Sequence, residues 1–126
     1  MGNFDLDLDF GQIFEGKVSD IFTKGKIEVK TERDTWLQTG NIAIEYKYKG
    51  KPSGLSTTEA DTWIHLLSVK GEIVGGFIIP VKVLRVRVKQ MLYENSAWKR
   101  TGGDCDESQL ILCKISRIFI GEHEKY

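Results

Sequence analysis

Residues 26–48, KIEVKTERDTWLQTGNIAIEYKY, alternate apolar and charged side chains on either side of Thr39-Gly40. Alternation at period two is the mark of a half-buried strand, so two strands joined by a short loop are expected here. Ile27 and Val29 share one face of the first strand, and Lys26, Glu28, Lys30 and Glu32 share the other. In the second, Ile42, Ile44, Tyr46 and Tyr48 oppose Asn41, Ala43, Glu45 and Lys47. Paired as a hairpin, the strands would gather three carboxylates and two or three lysines on one small patch. Carboxylates held close together repel and need a cation, a shared proton or an ammonium beside them. Oxygen ligands of this kind suit magnesium or manganese. The same alternation also describes a solvated edge whose charges pair across strands for roughly 0.2–1 kcal/mol each, and on pattern alone that is the commoner case.

The chain is 126 residues long, enough for one domain with one core, so residues 1–126 are expected to form a single unit with flexible ends at 1–8 and 121–126. No apolar run approaches the ~20 residues of a membrane span. The acidic start, MGNFDLDLDF, lacks the features of a secretion signal, so a cytoplasmic protein with no membrane partner is expected. Cys105 and Cys113 are too far apart for a C-x-x-C motif, and two reduced thiols are the default. The formal net charge is zero, which argues against a nucleic-acid partner. Its distribution softens that objection: beyond residue 20, bases exceed acids by four, and Lys82, Arg85, Arg87, Lys89, Lys99 and Arg100 stand against only Glu94 between Pro80 and Arg100.

Along the chain, Asp9 is a candidate N-cap for a helix with Phe10, Ile13, Phe14, Val18, Ile21 and Phe22 on one face and Gly25 at its end. Glu15 borders that face, where it would point along the sheet the helix packs on. After a turn at Lys51-Pro52-Ser53-Gly54, a hydroxyl at Ser56, Thr57 or Thr58 is read as the cap of a second helix, with Ala60, Trp63, Ile64 and Leu67 buried and His65 as an ordinary helical residue. Gly71 to Ile79 reads as a strand. VKVLRVRVKQML (81–92) fits a helix through Val81, Leu84, Val88 and Met91 and a strand through Leu84, Val86, Val88 and Leu92; Pro80 and its length favour the helix. Residues 93–108 read as a polar loop and SQLILCKISRIFIG as a last strand with a short turn. The order helix-strand-strand-helix-strand-helix-strand predicts an α/β sandwich on a mixed β-sheet flanked by helices.

A helix bearing a glutamate, a strand ending in an acid, a strand carrying Glu-x-Lys and a following helix resemble the core of the PD-(D/E)XK nuclease superfamily. The runs EVKTE (28–32), TGNIAIE (39–45), GKPSGLSTTEAD (50–61) and TGGD (101–104) are similar to those of small phage-type nuclease-like proteins. The resemblance implies a restriction-endonuclease-like core and hydrolysis of phosphodiester bonds in DNA, with branched or junction DNA as a candidate substrate. It further implies Mg2+ or Mn2+ as cofactor, a homodimer as a candidate assembly, and the host cytoplasm as location for a phage protein. Glu45 and Lys47 would be the Glu-x-Lys pair, with Glu32 as the upstream acid where the family more usually has aspartate. Asp34 is its nearby substitute, and Glu15 is the helical acid. Glu28-x-Lys30, with Asp20 upstream, is a competing triplet; it is disfavoured because Asp20 lies on the helix. Lys30 is in either case a candidate for the catalytic ammonium.

Two carboxylates of this kind would hold ions that acidify a water, and Lys47 or Lys30 would neutralise the phosphate. Ser53, Thr58, Trp98, Lys99 and Arg100 are candidate contacts to the nucleic-acid backbone, and Trp36 is a candidate stacking residue or packing anchor. A binding module without hydrolysis and a protein-interaction domain remain as rivals.

Overall fold

In the computed structural model the described residues are 2–120, without the side chains of 2–8 and 104. Helix α1 (Gly2–Lys24) leads into strand β1 (Ile27–Glu32), and a one-turn helix α2 (Thr35–Thr39) follows. Strands β2 (Asn41–Tyr48) and β3 (Lys51–Pro52) and a 3-10 turn (Gly54–Ser56) precede β4 (Thr62–Val69) and β5 (Glu72–Pro80). Helix α3 (Val81–Tyr93), β6 (Ala97–Gly102), β7 (Ser108–Lys114) and a 3-10 turn (Ile115–Arg117) complete the order. The class is α/β. The candidate flexible segment 121–126, with His123, lies outside the described residues, whereas the backbone of 2–8 belongs to α1.

The strands form two sheets, β1-β4-β5 and β3-β2-β7-β6. The first is mixed, with β1 parallel and β5 antiparallel to β4; the second is antiparallel throughout. The expected β1–β2 hairpin does not form. Gly40 is the reason: at φ 70° it caps α2, its N–H donating to the Trp36 carbonyl at 2.8 Å. A left-handed glycine at a helix C-terminus turns the chain away from its previous direction. β2 therefore starts a new sheet instead of returning along β1.

The helix expected over 56–67 does not form: residues 57–61 are turn and irregular backbone, and β4 begins at Thr62. Trp63, Ile64 and Leu67 fit a helical face, but Trp63, His65 and Leu67 also alternate with Ile64 and Leu66, and a strand apolar on both faces defeats periodicity. The hydroxyl read as a cap closes a local turn, with Thr58 Oγ1 accepting from the Ala60 N–H. Residues 97–102, expected in a loop, form the edge strand β6, which carries Lys99 and Arg100. The strand over 71–79, the helix after Pro80 and the final strand agree with expectation.

The core lies between the sheets and α3: Ile42, Ile44, Trp63, Ile79, Leu84, Met91, Ile111 and Cys113 are buried. Arg87 of α3 is also fully buried, its guanidinium donating to the carbonyls of Arg117 and Ile118 and to Gln90 Oε1. It ties the C-terminal turn to the helix. No helix among the described residues is long and apolar enough to cross a membrane.

Candidate active site

Glu32 ends β1, and Glu45 lies near the middle of β2, on the other sheet. Nevertheless both line one cleft of about 190 Å³, together with Lys30, Thr31, Ala43, Trp63 and Leu110. What brings them together is an unpaired strand edge. β3 covers β2 only at Lys47 and Tyr48, so the Ala43 N–H has no strand partner and instead donates to Glu32 Oε1 at 2.7 Å. The carboxylate thus stitches the two sheets.

The same Glu32 oxygen lies 2.8 Å from Nε2 of His65. Trp63 Nε1 approaches His65 Nδ1 at 3.0 Å. An indole N–H can only donate, so Nδ1 must be the bare acceptor and Nε2 carries the proton that reaches Glu32. His65 is therefore a neutral donor, held flat against Phe77 with ring centroids 5.5 Å apart. Among the described residues no donor engages Glu32 Oε2.

Glu45 is held at both oxygens: Ser108 Oγ donates to Oε1 at 2.8 Å and Ser53 Oγ to Oε2 at 3.1 Å. These hydroxyls arrive from β7 and from the segment after β3. Gly54 lets that segment approach, for its φ is 54° and a Cβ there would run into the carbonyl and side chain of Glu45.

The lysine of the cleft is Lys30, not Lys47. A β-bulge at Tyr46 shifts the register, so that Glu45 pairs with Leu110 but Lys47 pairs with Gln109. By strand alternation Gln109 lies on the opposite face from Leu110, and Lys47 goes with it. The bulge is clamped, because the Tyr46 carbonyl accepts from the Ser53 N–H at 3.0 Å and from Ser56 Oγ at 2.9 Å. Lys30 is half exposed and lies 3.9 Å from Glu28.

The remaining expected acids stand elsewhere. Glu28 pairs with Lys30 but does not line the cleft. Asp34 accepts the Lys70 N–H on both oxygens at 3.1 Å, fastening the β4–β5 turn. Glu15 is exposed on α1, whose apolar stripe does not pack on the sheet as expected.

Of the expected nucleic-acid contacts, Ser53 orients Glu45. Thr58 lies at a separate depression with Glu59, Asp61 and Arg85. Arg100 and Trp98 share the face of Glu45, since Arg100 pairs with Leu110 and Trp98 with Leu112. Lys99 is on the other face, its ammonium 5.5 Å from the Tyr46 ring centre. Trp36 is a packing anchor: its indole donates to the Ser68 carbonyl at 2.8 Å.

Sequence reading missed His65 and Ser108. The alternation of Trp63, His65 and Leu67 was the signal for His65; nothing local marks Ser108, which lies 63 positions from the carboxylate it holds.

The donor set can be tested against a divalent ion. Among the described residues no trio of His, Cys, Asp and Glu could hold a metal, so a closed protein cage is excluded for them. Magnesium and manganese are commonly held by one or two carboxylates with water and substrate phosphate completing the shell, and Glu32 and Glu45 are the carboxylates that line this cleft. In comparison with known proteins, no family model, no curated protein and no solved structure matches the chain.

Proposed function

We propose that the chain is a divalent-metal-dependent nuclease that hydrolyses phosphodiester bonds of DNA, built on a restriction-endonuclease-like core, with branched DNA as its candidate substrate. The observation that carries this reading is the convergence of Glu32, Glu45 and Lys30 on one cleft from two sheets. Glu32 and Glu45 would hold the ion, which when bound supplies Lewis acidity and lowers the pKa of a water. Ser53 and Ser108 fix the plane of the Glu45 carboxylate. His65 and the Ala43 N–H fix Glu32 through one oxygen, so its second oxygen remains for a ligand. Lys30 meets the negative charge of the phosphoryl oxygens, and charge placed in advance in a partly dry cleft stabilises the transition state most. Trp98 and Arg100, on the same sheet face as Glu45, are the backbone contacts of this reading.

A binding-only module is favoured by one observation: among the described residues, Glu32 and Glu45 are the only acids that line the cleft. The test separates the two. The protein is incubated with supercoiled plasmid and with a branched duplex, each with manganese, magnesium or chelator, alongside Glu45→Gln. Metal-dependent product that disappears in the variant is expected. Absence of product with every metal, or equal product from Glu45→Gln, overturns the nuclease reading; retention of the duplex in chelator without product assigns the binding module.

A further inference from the structure

Of the six bases between Pro80 and Arg100, three gather at one groove that the candidate active site does not use. Arg85, Val88, Lys89 and Leu92 lie at i, i+3, i+4 and i+7 on α3, the spacing of a single helix face. Tyr46 of β2, Lys99 of β6, Ile111 of β7, and Leu55 and Ser56 of the 3-10 turn line the same groove, whose volume is about 430 Å³. Ile111 pairs with Lys99, and both lie on the sheet face opposite to Leu110 and Glu45. The sheet therefore stands between this groove and the carboxylate cleft, and what binds here is independent of the nuclease reading.

The lining has two parts. Leu55, Val88 and Ile111 are at most 6% exposed and form an apolar floor, with Leu92 and the Tyr46 ring partly buried beside them. The charged groups are all cations: no carboxylate lines the groove, and among the described residues no ion pair engages Arg85, Lys89 or Lys99. Arg85 is held in place, its Nε donating to the Leu55 carbonyl at 3.0 Å and its Nη2 to the Thr58 carbonyl at 2.9 Å. Its Nη1 has no acceptor among the described residues. Lys99 is drawn in, with its ammonium 5.5 Å from the Tyr46 ring centre.

Three cations around one depression, with no counter-charge from the protein, give a positive potential that attracts an anion. The floor adds a second requirement. A sugar–phosphate backbone would meet the cations but leave Leu55, Val88 and Ile111 without an apolar partner, and an uncharged apolar molecule would leave the cations unpaired. Mostly apolar clefts of about 300–1,000 Å³ with a few convergent polar groups are the usual form of small-molecule sites. We propose that the groove between α3 and the β3-β2-β7-β6 sheet binds a small amphipathic anion, its apolar body on Leu55, Val88, Leu92 and Ile111 and its carboxylate or phosphate met by Arg85, Lys89 and Lys99.

The test uses the full chain and anilinonaphthalene sulfonate, a fluorescent apolar ring system with one anionic group. Decanoate and decyl phosphate, each below its micelle concentration, should displace this probe at least about tenfold more tightly than decanol, and the tighter of the two identifies the head group. Added salt should weaken both anions and leave decanol unmoved. Lys89→Glu combined with Lys99→Glu, both at exposed positions, should weaken the anions by about tenfold while keeping the far-UV circular dichroism of the wild type. Lys89→Gln with Lys99→Gln, which removes the charges without reversing them, should show a smaller loss in the same direction. Lys82→Glu, exposed on the same helix but outside the groove, should stay within about twofold of wild type. Equal displacement by decanol or by inorganic phosphate overturns the proposal, as does tighter displacement by a single-stranded oligonucleotide or an acidic peptide. Folded double variants that bind the anions as the wild type does, or a chain that neither anion reaches, overturn it as well.

Discussion

His65 donates its Nε2 proton to Glu32 while accepting, at Nδ1, the indole proton of Trp63. Both side chains are 1% exposed, so this relay is shielded from water and has one orientation. Partners that orient a ligand carboxylate are worth about 10–100-fold in metal affinity or activity. His65→Phe retains a ring to stack on Phe77 but gives Glu32 no proton. On the nuclease reading proposed above, its rate of plasmid cleavage should fall by about that factor, with the manganese titration midpoint moving upward. An unchanged midpoint would mean that Glu32 needs no orienter.

Lys30 and Lys47 make opposite expectations testable. Lys30 lines the carboxylate cleft, whereas the bulge at Tyr46 carries Lys47 to the other face. Lys30→Ala should lower the cleavage rate by about 10²–10³-fold, as loss of one preorganised charge does. Lys47→Ala should stay within a few-fold of wild type. The reverse ranking would show that the bulge does not persist when substrate is bound.

Gly54 decides how closely Ser53 can approach Glu45. An added methyl group collides with the Glu45 backbone, and φ of 54° disfavours any L residue. Gly54→Ala should destabilise the fold by more than about 1 kcal/mol and also reduce cleavage. Ser108→Ala, with no backbone change, should reduce cleavage while leaving the urea midpoint nearly unmoved. Urea titration and plasmid assay on the two variants separate backbone strain from carboxylate orientation.

Alkaline pH should destabilise this protein through Cys113. Burial, with a smaller contribution from the Glu32 charge, pushes its thiol from 9.0 up to about 12. Below pH 9 both states hold the proton and stability is unaffected. Between about 9 and 12 the unfolded chain ionises while the folded one does not, so stability falls by on the order of 4 kcal/mol at full extent. Tyr48, raised chiefly by its hydrogen bond to Glu107, adds to the fall in the same direction. Urea midpoints at pH 8, 10 and 11 should decline in the wild type and decline less in Cys113→Ala.

Arg87 has no surface exposure and donates to two backbone carbonyls and an amide oxygen. Arg87→Lys keeps the charge but lacks the planar fork, leaving carbonyls without donors. A loss of about 2–4 kcal/mol is expected in chemical denaturation.

Much of the chain was legible from one-dimensional pattern. The alternation of β1 and β2 is written in the sequence, β5 and β7 show as apolar runs, and α3 also fits a strand period, so that Pro80 and its length decide for a helix. β4 was not legible, because it is apolar on both sides, and β6 was not, because an edge strand with charged residues looks like a loop. Glu32, Glu45 and Lys30 were visible as a charged set on two strands, but pairing those strands as a hairpin was wrong.

Alternation along the chain determined which side chains of β1 and β2 are polar and point together, since that depends only on neighbours two residues apart. The tertiary structure decided that the two carboxylates line one cleft between two sheets, that a bulge turns Lys47 to the other face, and that His65 and Ser108 hydrogen-bond those carboxylates. Those outcomes depend on hydrogen bonds closed between residues dozens of positions apart, such as Ala43 N–H to Glu32 across the sheet boundary, and no local period encodes them.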